Sequence, residues 1–289
     1  MSLADWSRLF ALSLLWGGSF FFVEIALTGL PLLSVVWGRV ALGALCLAVM
    51  LRGQWPRGAA VWRALAGMGL LNCAVPFSLL AFAQGEISGA LAAILNATTP
   101  LWTVLVAHLA GAEALTARRL AGLGFGFAGV VVMAGGGVGS PPALLACMGA
   151  ALCYAVAGVW GRRLARMGVR PLQAGFGQVL MASVLLLPLW LWFDRPWGLA
   201  MPAPQVWGAL VGIAVLSTAL AYALYFRLLA TAGAVNLALV TFLIPVSAAA
   251  LGALFLGTRL GPAHFMGFGL IALGLWAVVR RPEARVKPA

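Results

Sequence analysis

Six uncharged polar or aromatic residues, Trp16, Asn72, Asn96, Tyr154, Ser217 and Thr241, each sit in the middle of a long apolar run. If the runs are helices rising about 1.5 Å per residue, all six fall at a similar depth. Such side chains exchange hydrogen bonds and offer ring faces without bringing charge, which suits holding a small molecule reversibly. Polar groups in hydrocarbon cost free energy unless they meet one another or line a wet cavity. The six therefore point to a central pocket or, alternatively, to hydrogen bonds between helices that contribute about 1 kcal/mol or less each. Phe77 and Tyr222 extend the same surface, and Trp102, Trp160 and Tyr225 lie nearer one end of it. Their rings can close a cavity, stack on apolar or aromatic molecules, or attract an ammonium group. Trp190, Trp192, Trp197 and Trp207 read instead as an interfacial belt.

Bond-breaking chemistry finds no support. His108 and His264 stand alone near predicted helix ends, no nucleophile has a base at useful spacing, and no phosphate-cradling loop is present. Cys46, Cys73, Cys147 and Cys153 fall inside apolar segments without CxxC spacing, so they read as inert thiols. No enzyme activity, cofactor or metal is expected.

The elements that position these residues follow from composition. Of 289 residues, 64% are hydrophobic and only 8% charged, too few to build a water-facing surface. A membrane span needs roughly 20 apolar residues, and such segments fall at about 7–27, 32–51, 61–83, 87–108, 118–136, 142–161, 171–192, 206–226, 234–256 and 262–280. The formal charge of +12 would suggest nucleic acid in a soluble protein, but placement decides otherwise. Apart from Arg39, Arg195 and Arg259, every Arg and Lys lands on the side of the N-terminus. That is the positive-inside pattern of a bacterial-type inner membrane, with both termini cytoplasmic. The partners expected are a lipid bilayer and a small molecule, not nucleic acid, and the chain can act as a monomer.

Gly135 to Pro142 form a breaker cluster that separates an N-terminal unit, 1–137, from a C-terminal unit, 141–289, which ends in a short basic tail. At an offset of 145, Asn72 meets Ser217, Phe77 meets Tyr222, Asn96 meets Thr241 and Pro100 meets Pro245. Gly122 likewise meets Gly267, and Gly129 meets Gly274. At a shifted offset Trp37-Gly38-Arg39-Val40 faces Phe176-Gly177-Gln178-Val179. Five helices per unit is an odd number, so the copies enter the bilayer from opposite sides, an arrangement common in transporters. The fold class is all-α integral membrane, ten transmembrane helices in two inverted five-helix repeats.

Pro100 and Pro245 interrupt helices at equivalent depth, where a missing N–H produces a kink that can act as a hinge for gating. Glu24 and Arg39 are the ionisable groups within spans and differ in depth by only about 5 Å. They read as an ion pair or as side chains snorkelling outward, with a proton-coupling role for Glu24 as the alternative.

These features resemble the drug/metabolite transporter superfamily, specifically its ten-helix EamA-type exporters, over essentially the whole chain. The resemblance is carried by Trp16-Gly17, Arg39, Pro100 and the run Gly111-Ala112-Glu113-Ala114-Leu115 leading to Gly122 and Gly129. Gly257-Thr258-Arg259-Leu260, leading to Gly267 and Gly274, echoes that run, with Thr258 where the family usually has an acid. It implies export of small metabolites, often amino acids including aromatic ones, by alternating access through a cavity between the halves. The alternatives are proton-coupled efflux of cationic drugs, as in the smaller four-helix relatives, and a non-transporting membrane scaffold or receptor.

Overall fold

The computed structural model describes residues 2–111, 116–135, 140–237 and 239–279. The basic tail from 280 onward, Glu113 and residues 136–139 of the breaker cluster lie outside the described residues. Secondary structure among the described residues is helical throughout. The first half contains α1 (Leu3–Ala26), α2 (Leu32–Leu51), α3 (Ala59–Gln84), α4 (Gly89–Leu109) and α5 (Ala117–Gly135). The second contains α6 (Pro141–Arg166), α7 (Pro171–Asp194), α8 (Pro204–Leu228), α9 (Val240–Phe255) and α10 (Pro262–Val279). Beyond Leu228 helical turns continue to Leu237 across a break at Gly233, where φ is 78°. Seven of these helices, α1 to α4 and α6 to α8, are long and apolar enough to cross a bilayer.

Their outer faces are apolar too. Leu14, Leu45, Val49, Leu145 and Leu189 are all exposed. A helix that is hydrophobic all round must be surrounded by lipid or protein, and lipid accepts it because its backbone polar groups are satisfied within the helix itself.

Helix ends follow local chemistry. Ser2 and Asp5 form a reciprocal capping box at the start of α1. Ser140 caps α6 by accepting from the Ala143 N–H, with Pro141 and Pro142 in the first turn, where a missing N–H does no harm.

The helices pair as α1 with α9, α4 with α6, α2 with α7, α3 with α6, α1 with α8, α3 with α7, α2 with α8, and α5 with α10. The last pair depends on glycine. A Cβ at Gly129 would lie 2.5 Å from the Gly267 carbonyl oxygen, and one at Gly274 would lie 2.5 Å from that of Gly122. Backbones in contact maximise dispersion attraction where no hydrophobic effect drives association. Gly17 plays the same part on α1, with the Ala248 amide 2.9 Å from where its Cβ would stand. Beside it the Ser247 hydroxyl of α9 donates to the Ser13 carbonyl at 2.7 Å.

The two ends of the bundle are tied differently. At the end away from the Arg-rich loops, three carboxylates each reach the N-terminus of a helix. Glu24 accepts from the Gly89 N–H of α4 at 2.8 Å, Asp194 accepts from the Ser34 N–H of α2 at 2.6 Å, and Glu86 accepts from the hydroxyl of Ser140, the α6 cap. Glu24 and Asp194 satisfy helix N–H groups directly and Glu86 holds the capping hydroxyl, and all three lie at the positive end of a helix dipole. Nearby, Trp190 stacks on Trp37 with centroids 3.8 Å apart and donates to Ser34. At the Arg-rich end the ties are between loops: Arg170 and Gln173 both donate to Gln54.

The expected Glu24–Arg39 ion pair is therefore not formed. Glu24 is engaged by the start of α4, and the one ion pair among the described residues joins Arg8 to Asp5. Similar depth did not bring the two groups to the same face.

Gly274→Ala should destabilise the folded protein by about 1–3 kcal/mol, the usual cost of overpacking, because its new methyl meets backbone. Gly269→Ala on the same helix, with nothing within 4 Å of its Cβ, should leave stability unchanged. Thermal unfolding of both variants in detergent measures the difference.

A candidate binding cavity at mid-depth

Where α3 crosses mid-depth its backbone opens into a π turn over Leu70–Ala74, and α8 does the same over Val215–Leu220. In α3 the cause is Pro76, which has no N–H to give the Asn72 carbonyl, so the Val75 N–H bonds to Leu70 instead. In α8, where residue 221 is Ala, the Thr218 hydroxyl donates to the Ile213 carbonyl at 3.0 Å and holds the ladder open. Each widened turn rotates one polar side chain, Asn72 or Ser217, toward the centre of the bundle.

A third break divides α4. Its first half ends at Asn96, and a second begins at Thr99 with Pro100 in its first turn. The Asn96 carbonyl, which Pro100 cannot serve, accepts from the Thr99 hydroxyl at 2.7 Å. Pro245 lies inside α9 and leaves the Thr241 carbonyl without its usual donor. Asn72, Asn96 and Thr241 thus each stand four residues before a proline. That spacing is a signal in the sequence itself, and it singles out positions where polar side chain and loosened backbone coincide.

Around these breaks lies a cavity of about 590 Å³. Its walls bring together Trp16, Asn72, Phe77, Asn96, Tyr154, Ser217, Tyr222 and Thr241 from six helices. From mid-depth it runs past Met68, Gly161, Leu164 and Val169 toward the Arg-rich end. Trp16 and Tyr225 pack ring against ring at 5.5 Å along this route.

Trp102 and Trp160 are not part of the cavity wall, contrary to expectation. Trp102 turns against Phe127 of α5, and Trp160 turns against α3, where its indole N–H donates to the Ala64 carbonyl at 2.9 Å. Position along a helix does not give direction around it. On the Trp160 turn of α6, the small residues Ala157, Gly158 and Gly161 face the cavity.

Arg39, Gln178, Ser19, Thr99 and Thr218 line the cavity without having been expected there. Gln178 is the centre of a hydrogen-bond chain. The Asn72 amide donates to the Gln178 carbonyl oxygen at 2.9 Å, and the Gln178 amide donates to the Tyr222 hydroxyl at 2.9 Å. The chain joins α3, α7 and α8 across the cavity. For Arg39 and Gln178, two of the five, the signal that could have found them was their match between the halves.

Two wall atoms, Asn96 Oδ1 and Ser217 Oγ, are buried with no hydrogen-bond partner. Buried polar atoms usually have one. Both belong to residues that line the cavity, so a small rotation of either side chain would present an acceptor to a donor that enters it. Among the described residues no group of His, Cys, Asp and Glu could hold a metal ion.

Residues 8–135 and 141–280 each match the EamA-like transporter family. The chain is 30% identical over 187 residues to an uncharacterized inner membrane transporter, YedA, of Escherichia coli (strain K12), a match covering 62% of this chain and 59% of that one. It is 25% identical over 274 residues to an uncharacterized transporter, YyaM, of Bacillus subtilis (strain 168), covering 89% and 88%. A solved crystal structure of another protein shares the fold, with a TM-score of 0.67 at 21% identity over 96% of this chain and 98% of that one. With the match extending over both halves, the chain belongs to the EamA-like transporter family.

Proposed function

We propose that the protein exports small neutral or zwitterionic metabolites, amino acids including aromatic ones foremost, across a bacterial-type inner membrane by alternating access. The cavity carries this reading. Its volume falls within the roughly 300–1,000 Å³ of small-molecule sites, and it combines ring faces with a few convergent polar groups. Trp16, Phe77, Tyr154 and Tyr222 suit an aromatic or apolar side chain, while Asn96 Oδ1 and Ser217 Oγ suit an ammonium group. Under the positive-inside rule the cavity opens to the cytoplasm, the side from which an exporter loads.

Several features support ten spans in two inverted five-helix units. The π turns begin at Leu70 and Val215, which correspond at the offset of 145. Exchanging the halves converts α1–α9 packing into α6–α4, α3–α6 into α8–α1 and α3–α7 into α8–α2, while α2–α7 and α5–α10 map onto themselves. Gly122 meets Gly274 and Gly129 meets Gly267, the crosswise pairing of a two-fold axis between equivalent helices. Such halves can trade conformations, which moves the opening from one face to the other. Pro100 and Pro245 would act as hinges.

Efflux of cationic drugs is disfavoured. No Asp or Glu lines the cavity among the described residues, and Arg39 is the charged group in its wall.

In proteoliposomes, Asn72→Ala and Tyr222→Phe should each lower apparent affinity for labelled phenylalanine about three- to tenfold, because each removes a link of about 0.5–1.5 kcal/mol from the Gln178 chain. Folded yield should not change, and full uptake in both variants would count against the cavity as the binding site. Pro100→Ala and Pro245→Ala should reduce turnover more than abundance. Normal turnover in both would remove the hinge assignment.

A further inference from the structure

Arg39 is a buried cation with no carboxylate beside it among the described residues. Its residue is only 9% exposed. The guanidinium lies over the Phe77 ring, 3.7 Å from its centroid, and Nε donates to the Thr218 hydroxyl at a long 3.4 Å. Burying a cation costs several kcal/mol unless an anion or a full set of acceptors compensates it. A ring face and one weak hydrogen bond compensate only part of this.

The carboxylates that could have neutralised it are engaged elsewhere. Among the described residues, Asp5 binds Arg8 and Thr231, Glu24 binds the Gly89 N–H, Glu86 binds Ser140 and Asp194 binds Ser34. None of them lines the cavity, whereas Arg39 does. A guanidinium presents five donors in a planar fork shaped for a carboxylate, and here one donor is used weakly within the protein.

We propose that Arg39 is the docking group for a substrate carboxylate, so that recognition requires a negative charge on the transported molecule. The assignment rests on the cavity being the transport site and restricts its substrates to molecules that carry a carboxylate, zwitterions included. Phe77, beneath the guanidinium, fixes its plane and keeps it from turning toward lipid. Thr218, on the widened turn of α8, sets its height, so a change in that turn would move the anion site with it. A positively charged molecule without a carboxylate would meet repulsion at the same place, which gives the cavity selectivity as well as affinity.

The test is protection of the purified protein against thermal unfolding by the twenty amino acids, each compared with its own carboxamide. A second set compares benzoate, phenylacetate and indole-3-acetate with their amides. Wild type should be stabilised by acids at concentrations at least tenfold lower than by the matching amides. Arg39→Gln should bring the two within twofold, and Arg39→Lys, which keeps the charge without the fork, should retain part of the preference. Equal protection by acid and amide in the wild type overturns the proposal whether or not Arg39→Gln folds, as does an Arg39→Gln protein that still prefers acids tenfold. Protection by the amine-free acids alone would support Arg39 as the anion site while overturning the amino-acid reading. Protection by no acid of either set would overturn the proposal.

Discussion

Hydrocarbon offers no hydrogen bonds, so any polar atom within the membrane-spanning part of this chain must find a partner inside the protein or face water. The structure is organised by that constraint. Chain ends and loops use it to close the bundle, since Glu24, Glu86 and Asp194 each satisfy the open N-terminus of a helix at one end. At mid-depth the same constraint is left unresolved. Asn96 Oδ1 and Ser217 Oγ lack partners, and the Arg39 guanidinium has few.

The site is created by departures from regular helix rather than by loops. Pro76 and Thr218 widen one turn each of α3 and α8, and Pro100 stands just beyond a break in α4. Each departure places a polar side chain beside a loosened stretch of backbone. Binding and movement would then share the same residues, because the turns that present the wall are those with the fewest regular hydrogen bonds to lose. The Asn72–Gln178–Tyr222 chain spans three helices from both halves, so a change on one side of the cavity is felt on the other.

Much of this was legible in the sequence because depth along an apolar helix is a matter of counting. Asn72 with Ser217, and Asn96 with Thr241, fall at one level by residue count alone, and they do surround one cavity. Direction around the helix is harder to read, since an all-apolar helix gives no stripe from which to take its bearing. For that reason Trp102 and Trp160 were expected in the wall and instead face neighbouring helices, Trp160 by donating to Ala64. Arg39 shows the same limit. Its depth matched Glu24, but its partners are Phe77 and Thr218, and only its match with Gln178 pointed to the centre. The π turn of α8 was not readable at all, because it comes from a threonine hydroxyl and not from a proline.

If the proposed transport holds, one cavity, reached from the Arg-rich end, is the route through the protein. Gly158 lies in its wall with nothing within 4 Å of where a Cβ would stand, so a large side chain there can fold into the empty space. The decisive measurement is flux of labelled amino acids into proteoliposomes carrying Gly158→Trp. Abundance and thermal stability should be normal, with flux reduced to background. Flux equal to wild type from a folded Gly158→Trp protein would contradict that route.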